Sequence, residues 1–250
     1  MSLTVGSLFS GIGGLDLGLE RAGMTVRWQS EIDPYASRVL AKHWPEVPNL
    51  GDVTQIEWEH VEPVDLICGG VPCQPFSSAG AKRGTADPRW LWPATRDALS
   101  VLRPEFVIVE NVAGLVADGT GFGTILGDLS DLGFHAAWDL LPAAVFGRPH
   151  RRYRLFLVAH SDRSGCCGLE EPHCVPLEAF SQGVDRDDAH GLVLAQRRAK
   201  AAAPTLLRMV AGLPKGVDDT ARLRCLGNAV VPQVAEWIGR QLLDSLLEAE

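Results

Sequence analysis

A cysteine stands between two prolines in segment 69–77 (GGVPCQPFS). The segment follows the apolar run Val64 to Cys68, so the sequence predicts a stiff loop after a strand, at the carboxyl edge of a sheet. An ionised thiol is an effective nucleophile. An isolated cysteine is more often a small buried hydrophobe, which is our interpretation of Cys68 inside the apolar run. The prolines beside Cys73 instead favour a nucleophile.

An acid and two arginines follow on further predicted strands. Glu110 ends the apolar run Phe106 to Glu110, where a carboxyl group can exchange protons with a bound ring. Arg152 and Arg154 lie two residues apart and so share one face of a strand. Two fixed guanidinium groups suit a carboxylate, a phosphate or a polar base edge. The plain alternatives are a helix cap or surface acid for Glu110 and an exposed basic edge for the arginines.

Three successive strand ends predict a nucleoside-like ligand at the same sheet edge. The glycine-rich turn 9–14 (FSGIGG) ends the first predicted strand and lets a ligand approach the backbone. Glu31 closes the second strand, where a carboxylate accepts hydrogen bonds from ribose hydroxyls, and Asp52 stands where a third strand should end. The segment 227–232 (GNAVVP) opens the final helix, whose amides can hold a carboxylate. Each signal alone also fits a turn or cap.

The elements that must position these residues alternate between strand and helix. The patterns predict strands at 3–10, 24–31, 64–68, 106–110, 135–140 and 154–160, and helices at 13–23, 34–43, 93–102, 122–132 and from 231 onward. Such alternation indicates an α/β fold with a mixed, mostly parallel sheet and helices on both faces. Periodicity is weak from 161 to 204, which predicts an inserted small domain or long loop, and a short helical signal returns at 206–210.

Composition narrows the class of protein. A net charge of −8 argues against nonspecific coating of nucleic acid, although 148–154 and 197–200 supply local basic faces. We find no signal peptide and no apolar stretch that would span a membrane, so we expect a reducing cytosol with free thiols. The cysteines at 166, 167 and 174 form no paired C-x-x-C, and we predict no metal site.

Taken in order, these segments resemble the conserved blocks of the DNA cytosine-5 methyltransferase family. The blocks are G-x-P-C-Q, E-N-V, R-x-R and G-N-x-V-x-P, and the match runs from Leu8 to about Leu242 with a break at 161–204. The size resembles the small bacteriophage and bacterial members. The resemblance implies a Rossmann-like S-adenosylmethionine-dependent methyltransferase domain at 1–160, a small target-recognition segment at 161–204, and a return to the catalytic domain at 205–250.

The resemblance also implies roles for individual residues. Cys73 would attack a flipped-out cytosine, Glu110 would orient the base, and Arg152 and Arg154 would support it. Glu31 would hold the ribose of the cofactor and Asp52 its adenine amino group. The residues implied at the cofactor are Phe9, Ser10, Gly11, Ile12, Gly13, Gly14, Glu31, Ile32, Asp52, Val53, Gly70, Pro72, Leu91, Asn228 and Ala229. Those expected at DNA are Gln74, Ser77, Lys82, Arg83, Asn111, Arg151, Arg197 and Arg198.

The implied partners are S-adenosyl-L-methionine, with S-adenosyl-L-homocysteine as product, and double-stranded DNA. We expect a cytoplasmic monomer, with a cognate restriction endonuclease as a further partner. Three alternatives stay open. A tRNA cytosine-5 methyltransferase would share the scaffold, but the Cys-Phe-Thr tripeptide of that branch does not occur here. Intact Cys73 and Glu110 argue against a catalytically silent DNA-binding module, and the incomplete G-x-G-x-x-G pattern argues against a nicotinamide oxidoreductase.

Overall fold

The computed structural model describes residues 2–72, 90–143, 153–161, 225–226 and 228–248. Its strands are β1 (Thr4–Leu8), β2 (Thr25–Ser30), β3 (Leu66–Gly70), β4 (Phe106–Val112), β5 (Phe134–Pro142) and β6 (Tyr153–Ser161). Its helices are α1 (Gly14–Ala22), α2 (Pro34–His43), α3 (Trp92–Leu102), α4 (Ala113–Asp118), α5 (Thr120–Asp131) and α6 (Pro232–Glu248), with 3-10 turns at Val53–Gln55 and Trp58–His60. Our predictions for 162–204 and for 206–210 lie outside the described residues.

The six strands form one sheet in the order β2-β1-β3-β4-β6-β5. The four strands β2, β1, β3 and β4 are parallel to their neighbours, whereas β6 runs antiparallel to both β4 and β5. This confirms the predicted α/β class with a mixed, mostly parallel sheet. The carboxyl ends of the four parallel strands meet at one edge, and the amino end of β6 joins them there.

Helices cover both faces of the sheet, as the alternation predicted. On β4, Val107 and Val109 belong to one apolar core, while Phe106 and Ile108 belong to the other. Because successive side chains of a strand point to opposite faces, each strand feeds both cores. Helices α3 and α5 and the two 3-10 turns pack on the first face, and α1 and α6 on the second. In the part of the chain described, no helix is both long and apolar enough to cross a membrane.

The predicted third strand ending at Asp52 is wrong. Segment 48–50 makes a single parallel bridge, Gln29 with Asn49, and no strand. Pro48 has no amide hydrogen, and Gly51 turns the backbone to a φ of 79°, so only two residues between them can continue a ladder. Asp52 therefore begins the 3-10 turn Val53–Gln55. Helix α4 was not predicted, because its six residues are too few to show a helical period.

Candidate active site

A pocket of about 360 Å³ opens at the edge where the parallel strands end. Its volume lies within the range of small-molecule sites, roughly 300–1,000 Å³. Every predicted cofactor residue except Ile12 and Gly13 lines it, and so do Glu110 and Arg154. The pocket therefore collects side chains that are up to about two hundred residues apart in the sequence, because the sheet brings its strand ends together.

The glycine-rich turn is held in a left-handed backbone conformation beside the pocket. Phe9, Gly11 and Gly13 have φ values of 52°, 57° and 80°. A Cβ on Gly11 would have no protein atom within 4 Å, so the backbone is open there, whereas one on Gly13 would clash with the ring of Trp44. Gly11 thus leaves room for a ligand, while Gly13 leaves room for packing, which is why it does not line the pocket.

Glu31 anchors this turn through one carboxylate oxygen and its own segment through the other. Its Oε2 accepts a hydrogen bond from the Gly11 amide at 2.8 Å, and its Oε1 accepts one from the Asp33 amide at 2.7 Å. A carboxylate oxygen has a second lone pair, so these bonds leave acceptor capacity for ligand hydroxyls. The carboxylate predicted to hold a ribose therefore also shapes the turn beside it.

Ile32 and Asp52 supply an apolar and a polar wall. Ile32 is 66% exposed, unusual for a large aliphatic side chain, and it lines the pocket. Asp52 Oδ1 accepts hydrogen bonds from the Thr54 amide at 2.9 Å and the Thr54 hydroxyl at 2.8 Å. Both bonds lower the pKa of Asp52, and the bond from the Thr54 amide has the larger effect. The carboxylate is therefore ionised at neutral pH. A flat ring lying against Ile32 would have the Asp52 carboxylate as a hydrogen-bond acceptor at the edge of the ring.

Glu110 and Arg154 form an ion pair beside this pocket. Arg154 Nε lies 3.0 Å from Glu110 Oε1, and the side chains are 26% and 9% exposed, respectively. The antiparallel ladder between β4 and β6 sets this contact, since Arg154 pairs in register with Val112, two residues after Glu110. A Cβ on Gly70 would lie 3.4 Å from Glu110 Oε2, so Gly70 lets β3 approach the carboxylate closely.

Asn111 connects this strand to the segment that leads to Cys73. It is 1% exposed, and its Nδ2 donates a hydrogen bond to the Val71 carbonyl at 3.1 Å. Its Oδ1 accepts a hydrogen bond from the Val112 amide at 2.9 Å. The contacts of Asn111 are therefore with backbone on both sides of the site, and its predicted contact with DNA stays a prediction.

Several predicted site residues lie outside the described residues. They are Cys73, Gln74, Ser77, Lys82, Arg83, Arg151, Arg152, Arg197 and Arg198. Pro72, the residue before Cys73, lines the pocket. The residue before the predicted nucleophile therefore lies at the same pocket as Glu110.

The pocket also contains residues that sequence analysis did not select. They are Leu15, Ser30, Asp33, Ala36, Gly51, Val71, Val112, Cys225 and Val230. Most adjoin a predicted residue, so a wider window around each block would have found them; Cys225 carried no such signal. Val230 comes close because Gly14 has no side chain: a Cβ there would clash with the Val230 carbonyl. Gly14 thus lets the start of the last helix close onto the glycine-rich turn.

The fold and site define a class: an open α/β sheet with a nucleoside-sized pocket at its carboxyl edge and, beside the pocket, a buried acid paired with a partly exposed arginine. The family model of the C-5 cytosine-specific DNA methylase matches residues 3–181. Because that match covers most of the chain, the protein belongs to this family. The resemblance inferred from the sequence blocks is thereby confirmed.

Individual relatives agree with this assignment. The chain is 28% identical to the type II methyltransferase M2.BsuMI of Bacillus subtilis, over 96% of this chain and 75% of that protein. It is 37% identical to the type II methylase M.HgiEI of Herpetosiphon aurantiacus, over 66% of this chain but only 39% of the relative. Against this relative and six further type II enzymes that it matches, the chain spans half their length or less.

Solved structures show the same fold. One is assigned to a DNA modification methyltransferase encoded within a prophage (E. coli), with 30% identity and a TM-score of 0.56 over 65% of this chain and 47% of that chain. Another is a DNMT2 variant from Spodoptera frugiperda, with 25% identity and a TM-score of 0.52 over 68% of this chain and 52% of that chain. The sheet and its flanking helices are thus shared with solved methyltransferases.

Proposed function

We propose that this chain is a site-specific DNA cytosine-5 methyltransferase that takes its methyl group from S-adenosyl-L-methionine. The observation that carries this proposal is the ion pair at 3.0 Å between buried Glu110 and partly exposed Arg154, set beside a pocket lined by all but two of the predicted cofactor residues. Family membership supplies the chemical class. An acid held next to a cofactor-sized pocket is what transfer to a heterocyclic base requires.

The pocket residues fit this cofactor. The open backbone at Gly11 admits a ligand, and the exposed Ile32 offers a surface to an adenine ring, with Phe9 and Pro72 as its other apolar neighbours. Asp52 would accept from the adenine amino group, and Glu31 from the ribose hydroxyls. Asn228 and Ala229 line the pocket near the start of α6 and would meet the amino acid end. When bound, the cofactor supplies an electrophilic methyl group on a sulfonium centre.

The protein residues would make cytosine able to accept that group. The Cys73 thiolate forms a bond to C6, and the displaced electron pair makes C5 nucleophilic. Glu110 contacts N3 and stabilises the charge that develops on the ring, while an arginine holds the O2 side. Arg154, through its ion pair, fixes the carboxyl group of Glu110. After methylation, loss of the proton from C5 and expulsion of the thiolate restore the aromatic ring and the free enzyme.

The same chemistry requires an extruded base. In duplex DNA the C6 atom is stacked between neighbouring pairs, so the target cytosine must leave the helix before Cys73 can reach it. We assign the contacts with DNA to Gln74, Ser77, Lys82, Arg83, Arg151, Arg197 and Arg198, together with Asn111, and the choice of sequence to segment 161–204. We further propose a cytoplasmic monomer that works beside a restriction endonuclease, as the type II names of the relatives suggest.

Transfer of tritiated methyl groups tests the proposed function. The full chain is incubated with methyl-tritiated S-adenosylmethionine and with either duplex DNA or bulk tRNA. We expect label in DNA and none in tRNA, and bisulfite sequencing of DNA from cells expressing the chain should show methylcytosine in one short sequence context. Label confined to tRNA would favour the RNA alternative on the same scaffold. Binding of the cofactor without label in either nucleic acid would favour a silent DNA-binding module.

Asp52→Asn should weaken binding of S-adenosylmethionine about tenfold, the worth of roughly one hydrogen bond to a charged group. The side-chain oxygen of the introduced asparagine can still accept from Thr54, but its amide donor then faces the adenine amino group. S-inosylhomocysteine has a carbonyl in place of that amino group. This ligand should bind more tightly to the variant than to the original chain. Isothermal titration calorimetry measures both affinities. If the two ligands lose affinity equally, Asp52 does not contact the adenine.

A further inference from the structure

Asp16 lies in the first turn of α1, buried beneath the pocket without lining it. It is 0% exposed. Its Oδ2 accepts a hydrogen bond from the Ser7 hydroxyl at 3.0 Å, and its Oδ1 accepts one from Gln29 Nε2 at 2.7 Å. Ser7 is in β1 and Gln29 is in β2, and both are fully buried. A single carboxyl group therefore joins α1 to the two strands whose ends form one side of the pocket.

The bond to Ser7 leads to the glycine-rich turn. The Ser7 carbonyl accepts a hydrogen bond from the Ser10 hydroxyl at 3.0 Å, and Ser10 lines the pocket. The Ser10 carbonyl in turn accepts from the Gly13 amide at 2.9 Å, and the Ser10 amide donates to the Ser30 carbonyl at 3.1 Å. Movement of Ser7 would therefore be transmitted to the backbone that a cofactor contacts.

The bond to Gln29 leads to Asp52. The Gln29 amide donates to the Pro48 carbonyl at 2.9 Å, and its carbonyl accepts from the Leu50 amide at 2.7 Å. These bonds hold the segment that carries Gly51 and Asp52, both of which line the pocket. The two arms of the network, through Ser7 and Gln29, thus end at two segments that line one pocket.

We propose that Asp16 is a positioning residue for the cofactor pocket: its carboxylate holds the glycine-rich turn and the Asp52 segment in the arrangement that binds S-adenosylmethionine. The inference rests on the proposed function, since it concerns the same cofactor. Asp16 does not touch the ligand; it acts through Ser7 and Gln29. A charged acceptor with two directed donors fixes their orientation more firmly than a neutral group would.

The carboxyl group titrates near physiological pH. Burial, partly offset by hydrogen bonds from Gln29 and Ser7, raises the pKa of Asp16 to about 6. Glu20, on the same helix, raises it further. The thiol of Cys68 in β3 is uncharged at this pH, because burial raises its pKa. Ser7 and Gln29 are neutral, and the residues that α6 contributes to this core are apolar: Val234, Ala235, Ile238 and Leu242.

Protonation should disturb this network. The ionised carboxyl accepts both hydrogen bonds, but a protonated one must donate its own hydrogen. Either the Ser7 hydroxyl turns so that its oxygen accepts that hydrogen, or the Gln29 amide turns over to present Oε1, which is buried and has no hydrogen-bond partner among the described residues. Because the folded pKa lies above the unfolded value of about 4, the ionised state costs stability, and stability should fall as pH rises from about 4 to 6.

Calorimetric titration of S-adenosylmethionine into the full chain between pH 5 and pH 8 tests the proposal. We expect the original chain to bind about fivefold more weakly at pH 5 than at pH 7.5, with a midpoint near 6. Asp16→Asn, which matches the shape of aspartate, should bind about tenfold more weakly at pH 7.5 and show no such midpoint. Its KM for the cofactor should rise while its kcat stays within about twofold, and its melting temperature should not fall.

Two further variants make the result specific. Asp97→Asn replaces an exposed aspartate on α3, away from the pocket, and should leave the pH profile of binding unchanged. Glu20→Gln removes a charge that adds to the effect of burial on the pKa of Asp16, so it should move the midpoint slightly to lower pH. This second variant also decides the matter if Asp16→Asn does not fold.

Equal affinity of Asp16→Asn and the original chain from pH 5 to pH 8 would overturn the role of Asp16 and leave the proposed function intact. An unmoved midpoint in Glu20→Gln would likewise assign the pH dependence to another group. Failure of the original chain to bind the cofactor at any pH would instead overturn the proposed function, and this inference with it. Melting curves recorded without cofactor separate these outcomes from unfolding.

Discussion

Cys73→Ser should abolish methyl transfer to DNA while the chain still binds S-adenosylmethionine. A serine hydroxyl is far less acidic than a thiol and a much weaker nucleophile towards C6 of cytosine, and the loss of a catalytic nucleophile commonly costs about 10⁴-fold or more in rate. Transfer of tritiated methyl groups to duplex DNA measures the loss, and calorimetric titration measures the retained affinity. Activity within about tenfold of the original chain in this variant would refute the covalent mechanism.

Cys68→Ala provides a matched control for this prediction. Cys68 is in β3, five residues before Cys73, but it is 0% exposed, and burial raises the pKa of its thiol. It therefore stays protonated and out of reach of any substrate. Its replacement should reduce stability by about 1 kcal/mol through lost packing and leave the specific activity within about twofold. A large loss of activity there would point to Cys68 as a functional group.

DNA that contains 5-fluorocytosine distinguishes attack by Cys73 from simple binding. Fluorine at C5 cannot leave as a proton does, so a covalent complex between the cysteine sulfur and C6 should persist after methylation. The original chain should give a denaturation-resistant complex, and Cys73→Ser should give none. Failure of the original chain to form the complex would favour the silent DNA-binding module.

Sequence patterns predicted the fold where local chemistry decides the structure. Alternate residues of β4 face two apolar cores, so the strand appears in the sequence as a continuous apolar run that could be recognised. The contact between Glu110 and Arg154 depends instead on the pairing of β4 with β6. The third strand failed because Pro48 and Gly51 interrupt the segment where the order of elements placed it. Two local features thus outweighed the broader alternation of strand and helix.

Residues that line the pocket were predictable from the sequence. Residues that pack behind the pocket, or act on it through other side chains, were less predictable. Gly13 was expected at the cofactor, but its missing side chain accommodates Trp44. Asp16 was not selected, since an aspartate in the first turn of a helix ordinarily faces solvent and favours the helix dipole. Its burial follows only from the approach of β1 and β2 to α1, which tertiary packing determines. A polar residue that acts through two others leaves no local signature.

Glu110→Gln should lower kcat for DNA methylation by about 10²–10³-fold, the usual cost of removing one group that stabilises charge in a transition state. Glutamine has nearly the same shape, so β4 and its ladder with β6 should persist. The variant nevertheless loses the acid beside the ring and leaves the Arg154 guanidinium, 26% exposed, without its ion pair. Steady-state transfer of tritiated methyl groups gives kcat, and calorimetry checks that cofactor affinity is retained.

Glu105→Gln is the matched control, because Glu105 directly precedes the opposite end of the same strand. The described contacts of Glu105 are made by its backbone, whose amide donates to the Asp65 carbonyl and whose carbonyl accepts from the Ser161 amide, each at 2.9 Å. Its substitution should leave kcat unchanged, since neither backbone bond depends on the carboxyl group. If Glu110→Gln also retains full kcat, the ion pair with Arg154 is structural, and charge on the cytosine must be stabilised by another group. If both variants lose activity together with their melting temperature, the loss reflects damage to β4 and not to catalysis.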